Sequence, residues 1–323
     1  MQILGIDGIT HGVEDLPACR QFFLDWGLQL VRESAQALDF ETLNGCQVQI
    51  RAASDATLPA AIEPGPTLRE AVWGVASAAD LDALRARLHD LESFRDEGDS
   101  LCCTDPNGLG LRFRVSRKRA VTVQGVPMNQ WGTAPQRVDQ RSHFYDRAEP
   151  VEVGHIVFFT PDLDAVVRFY IERLGFALSD SYPGRGAFLR CAAEGGHHDV
   201  FFLQLPTGKR GLNHVAYVVR DIHEVFGGGL HISRCGWETD IGPGRHPVSS
   251  AYFWYVKNPG GALAEYYTDE DMLTAAWQPR EFESRPENFA EWAVLGGLDG
   301  QTRRQKHGPA AETATLAGQA GRK

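Results

Sequence analysis

Two stretches of the chain carry the same pattern. Asp7-Gly8-Ile9 leads through Asp15-Leu16 and Phe22-Phe23 to Gly27-Leu28, and Gly154-His155-Ile156 leads through Asp162-Leu163 and Phe169-Tyr170 to Gly175-Phe176. Each reads as a strand, a helix opened by a capping Asp, and a glycine stop before the next strand. In the second copy the helix is expected from Leu163 to Arg173, with Gly175 as the residue just past its end. The pattern returns further on. Ala71-Val72-Trp73-Gly74-Val75 runs into Ala79-Asp80-Leu81, as Asn213-His214-Val215-Ala216-Tyr217 runs into Arg220-Asp221-Ile222. Asp105-Pro106-Asn107-Gly108 precedes Leu111-Arg112-Phe113, as Asn258-Pro259-Gly260-Gly261 precedes Ala264-Glu265-Tyr266. Each half therefore holds two strand-rich units, and such a repeat decides the fold before any single motif does.

The expected organisation is a domain over 1–117, a polar connecting segment over 118–150, a second domain over 151–272 and a packing segment over 273–300. Within the last part of the chain, 269–277 reads as helical. Residues 301–323 carry almost no large apolar side chains and read as a disordered tail. The 323 residues are 43% hydrophobic and 23% charged, ordinary globular proportions. Lys plus Arg number 32 against 42 Asp plus Glu, a net charge of −10 that disfavours a phosphate-backbone partner. No apolar run approaches the roughly 20 residues of a membrane span. No basic segment followed by an apolar stretch opens the chain, and Cys19, Cys46, Cys102, Cys103, Cys191 and Cys235 form no CxxC. They read as free thiols of a reducing compartment, so a cytoplasmic location is expected.

The residues with chemical capacity cluster in the second half. His155, His214 and Glu265 each stand alone among apolar, β-branched and aromatic strand neighbours. A histidine in a strand is ordinarily a satisfied core residue, and a strand glutamate ordinarily faces water. The repeat changes the odds, because all three fall at its anchor positions, which in the first half read as Gly8, Trp73 and Arg112. The duplicate keeps none of them. Two imidazoles and one carboxylate on converging strands would make a facial triad with open positions, which suits Fe(II) binding a substrate together with O₂. Mn(II) has the same ligand preferences. No fourth ligand or cysteine pair appears, which argues against structural zinc. Gly196-His197-His198-Asp199 precedes an apolar strand, Val200 to Leu205. Ile241-Gly242-Pro243-Gly244-Arg245-His246-Pro247 reads as a Gly/Pro loop feeding the strand Ser250 to Val256, which holds Tyr252 and Tyr255.

Taken in order, Gly154-His155, Cys191 with His197-His198-Asp199, Leu212 to Ala216, Gly242 to Ser249, Phe253-Trp254-Tyr255, and Asn258 to Gly261 with Glu265-Tyr266 resemble the catalytic domain of the type I extradiol ring-cleavage dioxygenases. These belong to the vicinal oxygen chelate superfamily. The resemblance extends to the first half, since these enzymes carry an inactive N-terminal domain of the same fold. It implies an α+β chain of two tandem domains, each a pair of βαβββ modules curling into a cup-like open barrel. It implies His155, His214 and Glu265 as metal ligands, His198 as the acid/base residue beside O₂, and His246 with Tyr255 as the pair that hydrogen-bonds the substrate oxygens. A catechol-type substrate, O₂, ring opening beside the diol and a homo-oligomer follow from it. Some members place a polar amide two residues after the first ligand, where this chain has Val157. The pocket wall is expected to include Val157, Phe188, Val200, Phe202 and Tyr255, with Arg190 and Arg245 as possible carboxylate partners. The same fold also hosts small-molecule sequestration and glutathione-dependent isomerisation, which remain alternatives.

Overall fold

The computed structural model describes residues 1–298; the expected disordered tail over 301–323 lies outside them. The first unit runs β1 (Ile3–Val13), α1 (Leu16–Asp25), β2 (Gln29–Glu33), β3 (Ala37–Glu41) and β4 (Gln47–Ala52). The second runs β5 (Thr67–Val75), α2 (Ala78–Leu88), β6 (Arg95–Asp96), β7 (Ser100–Thr104) and β8 (Gly110–Val115). Their strands form one sheet in the order β2-β3-β4-β1-β5-β8-β7-β6. The central pair, β1 and β5, is antiparallel, and each of the two pairs in parallel with the last strand of its own unit.

The second half repeats this plan. After β9 (Glu152–Phe159) come α3 (Leu163–Arg168), which continues as a π-helical turn over Phe169–Arg173, then β10 (Ala177–Tyr182), β11 (Gly186–Arg190), the short β12 (Gly195–Gly196) and β13 (Val200–Leu203). The fourth unit holds β14 (Gly211–Val218), α4 (Ile222–Arg234), β15 (Thr239–Arg245), β16 (Tyr252–Lys257) and β17 (Leu263–Thr268). The chain closes with β18 (Met272–Leu273), β19 (Arg280–Glu281), α5 (Pro286–Phe289) and β20 (Trp292–Leu295). The sheet order is β19-β10-β11-β13-β9-β14-β17-β16-β15-β20. Both sheets have two separate ends, so each is a cup and not a closed barrel, an α+β architecture as the repeat predicts.

Local chemistry explains the helices. Asp15 and Asp162 accept hydrogen bonds from Ala18 N and Ala165 N, satisfying donors that the first turn leaves orphaned. Gly175, at φ +79°, follows the last turn of the second copy where a side chain would be strained. The helices lie behind the cups, where the two halves share one apolar core. Trp26, just past α1, stacks on Tyr266 at 3.6 Å between ring centroids. Trp73 meets Phe176 edge-on at 5.0 Å. In α4, a Cβ at Gly229 would stand 2.0 Å from the Trp254 ring, so the helix lies on the sheet closer than any larger residue permits.

Two expectations are corrected here. Residues 269–277 form no helix; Met272–Leu273 instead pairs with Gly195–Gly196 as a small antiparallel sheet. Gly242 to Arg245 is not a loop but the end of β15, paired with β16 and β20 through a bulge between Ile241 and Gly244. The bulge absorbs the irregular backbone that Gly and Pro signal. Residues 118–150 contain no helix or strand.

Candidate metal centre and its pocket

β9, β14 and β17 are neighbours in the sheet, and Ala216 is the hub of their register, facing His155 on β9 and Glu265 on β17. His214 lies two residues before Ala216 on the same face, because side chains alternate along a strand. The three therefore converge inside the cup. His155 Nε2 lies 3.1 Å from Glu265 Oε2 and 3.3 Å from His214 Nε2, and His214 Nε2 lies 3.2 Å from the same oxygen. All three residues are buried. Gly154 is required beside them, since a Cβ there would fall 1.9 Å from the Tyr267 hydroxyl oxygen.

The donor set fits a divalent cation. Burial, and then the neighbouring His198, push the His155 imidazole down to about 3, so it is neutral with a free electron pair. Burial alone would raise the Glu265 carboxyl; the imidazoles of His155, His214 and His246 outweigh it and hold the group well below the usual carboxylate range. His214 donates from Nδ1 to Asn213 Oδ1 at 2.7 Å, which leaves Nε2 as the atom that can ligate. Glu265 Oε1 and His155 Nδ1 are buried without hydrogen-bond partners. A carboxylate and two imidazole nitrogens crowded into one triangle are stabilised by a cation.

Around this triangle stand the other residues expected from the sequence. The His198 ring lies 4.1 Å from that of His155, centroid to centroid. Burial, followed by the charge of His197, lowers the His198 pKa far below its ordinary value and keeps the ring neutral. His197 is completely buried and donates from Nε2 to Asp180 Oδ2 at 2.9 Å. Asp180 in turn accepts from Arg280 at 2.6 Å. His246 donates from Nδ1 to the Phe289 carbonyl at 2.7 Å, so its Nε2 accepts from the Tyr255 hydroxyl at 3.1 Å. Sequence reasoning missed Glu270, whose carboxylate approaches His198 Nδ1 at 3.1 Å and is raised by burial to about 7. The acidic run Asp269-Glu270-Asp271 so soon after Tyr267 was its only signal.

The triangle opens into a cavity of about 390 Å³. Val157, Phe188 and Tyr255 line it as expected, joined by Tyr182, Phe201, Leu203 and Val248. Val200 and Phe202 do not line it; they lie on the opposite face of β13, in the shared core. Neither proposed arginine reaches the cavity. Arg190 is buried against Leu178 O, Ser179 and Ala193 O, and Arg245 pairs with Glu291.

The first half corrects the expected equivalences. Val72 is the hub there, facing Gly8 on β1 and Arg112 on β8. The residue two places before it is Glu70, so Glu70 and not Trp73 corresponds to His214. Trp73 directly follows Val72 and corresponds to Tyr217, which directly follows Ala216; in each half the partner strand bulges there, at Asp7 in β1 and at Gly154 in β9. Arg112 Nε lies 3.2 Å from both carboxylate oxygens of Glu70.

Comparison with known proteins finds relatives of this chain. Residues 152–266 match the family described as Glyoxalase/Bleomycin resistance protein/Dioxygenase superfamily. Metapyrocatechase 2 of Cupriavidus necator is 30% identical over 196 residues, 58% of this chain and 58% of its own length. An iron-dependent extradiol dioxygenase of Rhodococcus jostii (strain RHA1) is 32% identical over 145 residues, 40% of this chain and 47% of its own length. The chain thus spans 58% and 47% of these two relatives. A crystal structure of a Mn(II)-bound glyoxalase from Novosphingobium aromaticivorans shares the fold, with a TM-score of 0.72 at 24% identity over 91% of this chain and 93% of its own. The stretch whose strands carry His155, His214 and Glu265 is thus the stretch that matches the glyoxalase/bleomycin resistance protein/dioxygenase superfamily, and the chain is similar to proteins named as a metapyrocatechase and an iron-dependent extradiol dioxygenase.

Proposed function

We propose that the chain is an extradiol dioxygenase that opens the ring of a catechol bearing an uncharged, apolar substituent. The observation that carries the reading is a buried two-His, one-Glu triangle opening into an apolar cavity. Further proton-handling side chains, His198, His246 and Tyr255, ring its mouth. His155, His214 and Glu265 would hold the metal, Fe(II) or Mn(II). When bound, such a metal lowers the pKa of the diol it chelates and carries electrons between ring and O₂.

The chain's own residues position the diol and manage its protons. Tyr255 donates to His246, which leaves the phenol oxygen free to accept a hydrogen bond from a diol hydroxyl. His246 is fixed from behind by the Phe289 carbonyl, so the pair offers a rigid edge rather than two mobile side chains. His198 is neutral and can take a proton at the reacting side and return it as ring cleavage proceeds. The His197–Asp180–Arg280 chain holds the His-His segment in place. Val157, Phe188, Phe201 and Leu203 exclude water and pack the ring substituent. Among the described residues, the only cationic group on the wall besides histidine is Arg285, which already pairs with Glu283. A ring carboxylate would be desolvated there without a partner, which costs several kcal/mol.

Oxygen uptake by Fe(II)-loaded protein over a panel of catechols tests this. Alkyl- or aryl-substituted catechols should consume O₂ and give ring-opened products, while carboxylated catechols turn over at least tenfold more slowly in kcat/KM. Absence of O₂ uptake with every diol would remove the assignment. Preference for the carboxylated ring would overturn the substrate class alone.

A further inference from the structure

A second group of metal-capable side chains lies on the far side of the sheet from the cavity. α1 ends at Asp25, and α4 ends at Arg234 with Cys235 as its cap residue. His231 and Cys235 are four residues apart and share one helix face. Cys235 Sγ lies 3.5 Å from His231 Nε2, and a carboxylate oxygen of Asp25 lies within 4.8 Å of both. A tetrahedral ion with a bond of about 2.3 Å to sulfur and about 2.0–2.1 Å to nitrogen separates those two atoms by roughly 3.5 Å. The spacing already present is thus the spacing such an ion needs.

We propose that Asp25, His231 and Cys235 form a second transition-metal site, of the Zn(II) type, that ties the first half of the chain to the helix behind the candidate catalytic sheet. The Asp25 carboxylate is oriented by Gln21 Nε2 on Oδ1 and by Trp237 Nε1 on Oδ2, each at 2.9 Å. Such outer partners fix a ligand and sharpen a site. Two helix C-termini, each carrying partial negative charge, meet there and favour a cation. A thiolate and a carboxylate balance a dication, and the neutral imidazole completes three ligands with a fourth position for water. Thiolate and imidazole together select zinc-like ions over Mg(II) or Ca(II). Cys235 is the one exposed thiol of the described residues, so an ion can reach it. The nearest competing charge on α4 is Arg234, whose guanidinium donates to the Asp146 carbonyl at 3.2 Å.

The test is Co(II) titration of reduced, metal-stripped full-length protein, followed by near-ultraviolet absorption. A thiolate-to-cobalt charge-transfer band can arise only where cysteine is a ligand, and the His155–His214–Glu265 triangle has none. The band should appear, persist in Glu265→Gln, vanish in Cys235→Ser and be displaced by Zn(II). Asp25→Asn and His231→Gln should each weaken cobalt binding by more than the roughly 10- to 100-fold that loss of an outer partner costs. No band at saturating Co(II), or a band undiminished in Cys235→Ser, overturns the proposal. A band unaffected by both Asp25→Asn and His231→Gln would mean a lone thiol binding cobalt, and overturns it too.

Discussion

The two cups repeat each other down to the bulges in their central strands, yet they solve the same electrostatic problem in opposite ways. At three corresponding positions the second cup presents His155, His214 and Glu265, and the first presents Gly8, Glu70 and Arg112. The second leaves a buried carboxylate oxygen without a hydrogen bond. The first supplies its own cation, since Arg112 binds Glu70 and also reaches Glu97 at 2.6 Å and Ser100 at 3.0 Å. A Cβ at Gly8 would already stand 3.1 Å from the Gln47 carbonyl, so an imidazole at that position would force the strands to shift. One fold thus carries an open socket in one copy and a plugged one in the other, and the difference is one of charge balance more than of backbone.

The largest effect that would break this contrast is on the socket. His214→Ala or Glu265→Ala should lose bound iron and all ring cleavage while circular dichroism stays unchanged, whereas Glu70→Ala should leave both intact. Wild-type iron in either triad variant would place the metal elsewhere. His198→Gln should keep the iron but lower turnover by about 10²- to 10⁴-fold, the usual share of a general acid or base. Loss of iron from it would make His198 a ligand.

Smaller effects sharpen the plugged side. Trp73 is 1% exposed, and Trp73→Ala should cost about 3–5 kcal/mol in denaturant unfolding without changing iron content. Stability equal to wild type would place Trp73 outside the shared core. Arg112→Ala leaves the Glu70 carboxylate unpaired and should cost about 1–3 kcal/mol, part of it recovered in the Glu70→Ala, Arg112→Ala double variant. Additive losses would show that the pair is not coupled.

His155, His214 and Glu265 were legible because a polar side chain interrupts an otherwise apolar strand and its duplicate does not keep it. Trp73 was misplaced because the apolar run Ala71 to Val75 carries no mark of its register; only the pairing of Val72 with Gly8 and Arg112 makes Glu70 the counterpart of His214. The pocket wall slipped by one residue for a related reason. Val200-Phe201-Phe202-Leu203 is apolar throughout, since β13 is covered on both faces, and without alternation the sequence cannot say which side chains face the cup. Asn213, the residue next to His214, was visible but silent, because its orienting hydrogen bond depends on the ring's rotamer. Glu270 and the His197–Asp180–Arg280 chain join residues distant in sequence, and no local spacing encodes them.

The most direct test of the central contrast is an iron count. It is best made in a Cys235→Ser background, which removes the only exposed thiol, after Fe(II) loading and a chelator wash. The account predicts one iron per chain, unchanged by Glu70→Ala and absent in Glu265→Ala. Two irons per chain, or iron that survives Glu265→Ala, would contradict it.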